Sequence, residues 1–212
     1  MATGGIAIIG WGSLIWDLDD LGPRVEGGWA MGEGPELPLE FSRVSAKRLG
    51  ALTVCIDDRH GYPCPTHVIR SRREGVLRAV VDLALRERTA PTRIGFVAPA
   101  GLGAGSLGTG GLRQGGGAAA QAASPEVAAR VADWCLATGF EAAVWTDLPS
   151  NFEAATGAPF AIETAERYLA ALEGAPAREA VRYLSEAPAA TDTPLRRHLA
   201  AQSWWQAALA GP

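Results

Sequence analysis

Two places in this sequence combine residue types that could do chemistry. The first is Gly10-Trp11-Gly12-Ser13-Leu14, directly after the apolar run Ile6-Ala7-Ile8-Ile9. A glycine at the end of a strand lets the chain turn sharply and lets a ligand approach bare backbone. Successive amide N–H groups in such a turn, with the Ser13 hydroxyl beside them, form a nest for an anion such as a carboxylate. The same residues also suit an ordinary tight turn. The second place is Glu87. In Glu74–Arg88, Val76, Leu77, Val80, Val81, Leu83 and Ala84 share one broad helical face. Arg78, Asp82 and Arg86 fall opposite. Glu87 stays in register with Val76, Val80 and Leu83, so it is expected to point toward a core or cleft. Burial there would raise a carboxyl pKa and suit a general acid or base near neutrality. The competing reading is a surface acid at a fraying helix end, paired with Arg86 or Arg88.

The elements that must hold these residues follow from periodicity. Ile6–Ile9 is short, apolar and β-branched, as a buried strand is. Leu37–Ser45 and Leu52–Asp57 alternate apolar and polar residues and read as adjacent strands. Strands are expected near 6–10, 37–45, 52–57, 93–98 and 142–148, forming one curled sheet or barrel. Helices are expected near 74–88, 125–138, 161–173, 176–185 and 194–208, packed around it. Ser124-Pro125 gives an N-cap and first-turn proline, and Gly139 a stop. Thr193-Pro194 caps the last helix, whose adjacent Trp204 and Trp205 suit a core or a dimer interface. Between these elements, residues 98–124 are rich in Gly and Ala. That stretch has no Gly-Lys-Ser/Thr phosphate loop and reads as a flexible insertion.

The loop at Trp11–Leu14 resembles the signature loop of the γ-glutamylcyclotransferase-like proteins, with Trp11 where that family usually has Tyr. Leu83-Ala84-Leu85-Arg86-Glu87 resembles the context of the family's catalytic Glu, and Gly95-Phe96 stands where many relatives carry Gly-Tyr. The later segments Ala143–Pro149 and Ala187–Arg196 are similar to an uncharacterised bacterial branch of the group. The resemblance implies an α+β fold: a small, mostly antiparallel curled sheet or barrel with helices packed outside, in a single domain over 1–212. It implies that Trp11, Gly12, Ser13 and Leu14 bind a γ-glutamyl substrate and that Glu87 is the catalytic acid/base. It requires no cofactor and no metal. The product would be 5-oxoproline with release of an amine. The missing phenol at Phe96 leaves any hydrogen bond from that position unprovided.

Composition narrows the alternatives. The chain has 212 residues, 48% of them apolar, and a net charge of −4. That length supports a globular core. No stretch is strongly basic, so nucleic acid is not the expected partner. The Ile6–Ile9 run is too short for a membrane span or signal peptide, and the expected location is the cytoplasm. The three cysteines, Cys55, Cys64 and Cys135, show no disulfide pattern. Cys55, His60, Cys64 and His67 lie close in sequence, but not at the spacing of a zinc knuckle. Two other functions compete with cyclisation. One is a non-catalytic small-molecule-binding or scaffold protein on the same fold. The other is an amide hydrolase using Ser13, for which no histidine offers a partner motif.

Overall fold

The computed structural model describes residues 4–100 and 119–210. Most of the expected Gly/Ala-rich loop therefore lies outside the described residues. The described chain forms two compact units. The first takes its residues from Met1–Gly10, Asp17–Pro35 and Pro65–Leu148. The second takes them from Trp11–Trp16, Glu36–Cys64 and Pro149–Pro212.

The first unit is built on a six-stranded sheet. Its strands are β1 (Ile6–Gly10), β2 (Val25–Ala30), β6 (His67–Ser71), β7 (Ile94–Ala98), β8 (Ala119–Gln121) and β9 (Ala142–Thr146). Their order is β2-β6-β1-β9-β7-β8. β1 runs antiparallel to β6, with Ile8 opposite Ile69, and parallel to β9, with Ile8 opposite Val144. Flanked on both edges and buried along its whole length, β1 has no polar face, which explains its unbroken apolar run. Gly95 on β7 lies opposite Trp145, and a side chain there would collide with the indole.

Among the described residues, two α-helices belong to this unit. α1 (Val76–Glu87) has Gly75 as N-cap, without a side-chain cap, and ends at Arg88 in the left-handed region at φ +54. α2 (Pro125–Thr138) begins with the Ser124 hydroxyl accepting from the Val127 amide and ends at Gly139, φ +82. Its buried line is Val127, Val131 and Cys135.

The second unit contains a three-stranded antiparallel sheet, order β4-β3-β5. Here β3 is Leu37–Ser45, β4 is Ala51–Ile56 and β5 is Tyr62–Cys64. β3 and β4 pair as their alternation suggests, with a register shift between Glu40 and Arg43. Among the described residues, five α-helices accompany the sheet: α3 (Phe152–Thr156), α4 (Ile162–Ala170), α5 (Gly174–Glu186), α6 (Pro194–Ala200) and α7 (Ser203–Ala210).

The α+β class is as expected, but the single curled sheet or barrel is not. The strands separate into a mixed sheet and a smaller one, and no closed barrel forms among the described residues. β3 and β4 take β5 as their third strand rather than joining β1. The long helix expected at 194–208 is divided. The amides of Ala201 and Gln202 bond three residues back, to His198 and Leu199, and Gln202 then accepts from Gln206 to start a new turn.

Candidate functional site

The Trp11–Leu14 loop belongs to the second unit. Trp11 is extended (φ −153, ψ 171), and Gly12–Leu14 then form one 3-10 turn closed by the Ile15 amide on the Gly12 carbonyl. Gly12 has φ +55. A Cβ there would lie 2.5 Å from the Tyr183 hydroxyl and 2.6 Å from Val54 Cγ1. Only glycine meets both demands. Trp11 and Leu14 are buried and Ser13 is half-buried. An extended residue, a left-handed glycine and a helical turn in succession make the kind of backbone concavity that accepts anions.

Tyr183, on α5, is the residue that reading the sequence for chemistry missed. Its ring packs edge-on against Trp16 at 5.5 Å and against Phe41 at 6.4 Å. The Arg48 guanidinium sits 5.9 Å from its centroid and pairs with Glu179 at 3.5 Å. These contacts hold a phenol hydroxyl against the loop glycine. In sequence Tyr183 is one apolar position of an amphipathic helix, far from position 12, so nothing local marks it.

Glu87 belongs to the first unit, as the last residue of α1. It follows the buried line Val76, Val80 and Leu83, as its phase requires, and its side chain is only 16% exposed. Arg86 Nη1 donates to Glu87 Oε1 at 2.7 Å. Arg86 is itself 2% exposed and also donates through Nε and Nη2 to the Asp17 carbonyl. The acid is thus both sheltered and paired, combining the two readings its position allowed.

The rest of α1 corrects the expected face. Leu77 and Val81, expected inside, are 41% and 46% exposed, while Asp82 and Arg86, expected outside, are buried. The reason lies in distant partners. Asp82 Oδ1 accepts from Arg24 and Arg73, and its Oδ2 accepts from Arg73 Nε. A charge enters a core when such partners replace water.

Two other carboxylates organise the second unit. Glu40 is fully buried. Its Oε1 accepts from the Phe41 amide at 2.7 Å and its Oε2 from the Leu195 amide at 3.2 Å. Burial pushes its pKa up, against the lowering bonds from Thr193, Phe41 and Leu195. Asp57 receives the Ser42 hydroxyl at 2.7 Å on one oxygen and the Arg59 and His60 amides on the other. Burial alone would raise its pKa, but these bonds and the nearby His60 hold it below the ordinary value. The order here is serine, carboxylate, imidazole. A hydrolytic triad needs the imidazole in the middle, so this cluster braces the β3 bulge rather than activating Ser42. The three thiols are buried, and burial pushes Cys55 and Cys135 to about 12 and Cys64 to about 11. Such thiols are poor nucleophiles and metal ligands.

Among the described residues no group of three or more His, Cys, Asp or Glu side chains is arranged to hold a metal ion. Also among them, no helix is long and apolar enough to cross a membrane. Comparison with protein-family models, curated proteins and solved structures finds no match.

Proposed function

We propose that the protein is a γ-glutamylcyclotransferase-type enzyme that converts a γ-glutamyl amide to 5-oxoproline and a free amine. The observation that carries this reading is Glu87, a 16% exposed carboxylate ending the core-facing line of α1, with buried Arg86 donating to it at 2.7 Å. The turn at left-handed Gly12 supports it, as a backbone of the form that cradles a carboxylate.

The chemistry assigns each part a task. The Trp11-Gly12-Ser13-Leu14 backbone holds the substrate's α-carboxylate. Glu87 takes a proton from the α-ammonium, leaving a neutral amine. That nitrogen attacks the γ-carbonyl carbon and forms the ring C–N bond. Glu87 then returns its proton to the departing nitrogen as the original amide C–N bond breaks, and the second proton of the ring nitrogen passes to the released amine, which leaves as an ammonium. No water is consumed, and the acid ends as it began. Holding the amine folded onto the carbonyl is an orientation effect that can supply about 7–11 kcal/mol of the barrier. Arg86 keeps the carboxylate aligned through its bond to Oε1. On this reading the enzyme works in the cytoplasm without a cofactor.

A non-catalytic binder is the reading that the Arg86–Glu87 pair also favours, because a paired acid can be purely structural. The product separates the two. The full chain incubated with a panel of γ-glutamyl amides should give 5-oxoproline by mass spectrometry. Glutamate would indicate hydrolysis, and unchanged substrate across the panel would favour the binder.

A further inference from the structure

His67, the first residue of β6, is 1% exposed. Its Nδ1 accepts from the Gly32 amide at 2.8 Å. A neutral imidazole whose Nδ1 accepts carries its proton on Nε2. Burial keeps the ring neutral, with its pKa below the ordinary 6.5. The Nε2–H is shut off from solvent and meets no acceptor among the described residues. A buried donor without an acceptor is costly, and the Gly32 bond fixes which way this one points.

The sheet places His67 at the same end as Glu87, within the first unit. His67 lies opposite Gly10, where β1 ends. β9 runs parallel to β1 and ends beside it, and β7 starts there with Ile94 opposite Thr146. α1 sets out from the other end, after Ser71, and its 12 residues span about 18 Å. A five-residue strand spans about 17 Å, so Glu87, the last residue of α1, comes back to the His67 end. The two residues also share a face. Side chains alternate along β6, so Ser71 and His67 point to the same side. The Ser71 hydroxyl accepts from the Arg73 amide, and the Arg73 guanidinium grips Asp82 of α1. α1 therefore covers the face on which His67 stands. Gly10, next to His67 across the ladder, has no side chain to fill the space beside the imidazole.

We propose that the His67 Nε2–H donates to the γ-carbonyl oxygen of the substrate and stabilises the oxyanion that forms there when the α-amine attacks. This rests on the cyclase reading and supplies a donor that Glu87 cannot be. As the ring C–N bond forms, the carbonyl π pair moves onto oxygen. It returns as the amide C–N bond breaks. His67 keeps its proton throughout. The donor is in place before the charge develops, which is what makes such a group effective.

The experiment uses the full chain and two substitutions. His67→Asn keeps an acceptor near Nδ1 for the Gly32 amide but has no donor at Nε2. His67→Gln reaches the Nε2 position with an amide N–H but gives up the Gly32 bond. On a γ-glutamyl amide that the wild type cyclises, His67→Asn should lower kcat about 10²–10³-fold, the loss typical of removing one oxyanion donor, with KM nearly unchanged. His67→Gln should recover at least tenfold of that loss. A histidine that only braces Gly32 gives the reverse order. A second measurement does not need turnover. In protein labelled with ¹⁵N-histidine, the His67 Nε2 proton should move downfield with 5-oxoproline, whose ring carbonyl is the former γ-carbonyl. It should not move with proline, which has the same ring and carboxylate without that carbonyl. A wild type that cyclises no amide removes the cyclase reading. The His67 assignment is then decided by whether 5-oxoproline or glutamine, the simplest γ-glutamyl amide, moves that proton. The same titration decides if His67→Asn does not fold. An Nε2 proton that ignores these ligands, as one held by a permanent water would, overturns the proposal. So does a folded His67→Asn enzyme with the wild-type kcat.

Discussion

α1 and α2 belong to the same unit and solve the same packing problem differently. α2 has a serine cap, a proline in the first turn, a buried line of Val127, Val131 and Cys135, and a left-handed glycine stop. Each feature is local. α1 has no side-chain cap, stops at a left-handed arginine, buries Asp82 and Arg86, and exposes Leu77, Val81 and Leu85. Its stability depends on groups elsewhere in the chain. The difference teaches that a helix carrying candidate chemistry can depart from ordinary amphipathicity in both directions at once. It shelters charge on one side and offers apolar surface on the other.

The sharpest way to break this comparison is to remove a methyl-rich side chain from each side of α1. Leu83 is fully buried, so Leu83→Ala should cost about 2–5 kcal/mol in urea denaturation. Val81→Ala on the outward side should change stability by no more than about 0.5 kcal/mol. Similar losses at both positions would mean that α1 has no outward face.

Next in size is the buried charge. Asp82→Asn keeps the shape but loses the charge that Arg24 and Arg73 share. Hydrogen bonds to a charged group are worth about 1.5–3 kcal/mol net. With both arginine side chains about a third exposed, the expected loss lies near the lower end of that range. Glu186→Gln on α5 breaks the exposed Arg182–Glu186 pair and should cost about 0.3–0.5 kcal/mol. Added salt should shrink the second effect far more than the first. For α2 the matching test is its cap. Ser124→Ala should cost about 1 kcal/mol, because the Val127 amide loses its acceptor.

The smallest effect is a slope with pH. His67 on β6 is buried, with Nδ1 accepting from the Gly32 amide, and burial pushes its pKa below the ordinary 6.5. The unfolded chain therefore binds a proton that the folded chain resists. Stability should rise with pH up to about 6.5 and fall as the solution is acidified below it. His67→Asn keeps an acceptor near the Gly32 amide and should flatten that part of the curve. An unchanged slope would assign the titration to another group.

The strands and helices with local signals were legible in the sequence. β1 declared itself by its apolar run, α2 by its cap and stop, and α6 by Thr193-Pro194. The strands β2, β5, β6 and β8 were not. β6 opens with a histidine and has only five residues, and its place is fixed by β1 and β2 on either side. Of the candidate site, the turn at Gly12 and the phase of Glu87 could be read directly. The burial of Asp82 could not, because one of its two arginine partners, Arg24, lies 58 positions away. Nor could the burial of Arg86, whose partner carbonyl on Asp17 is 69 positions away. Tyr183 was hidden for the same reason. A sequence shows periodicity within a helix, but not which distant group will meet its charges.

The proton acceptor is the centre of the account, and Glu87→Gln tests it most directly. The amide keeps the size of the side chain and can still accept through its oxygen from Arg86, but it cannot take the substrate's proton. Thermal melting first checks that the variant folds. Its turnover on a γ-glutamyl amide that the wild type cyclises is then followed by 5-oxoproline formation. The account predicts a fall of about 10²–10⁴-fold, with γ-glutamyl ligand binding retained. A folded Glu87→Gln protein that cyclises the same substrate at the wild-type rate would contradict it.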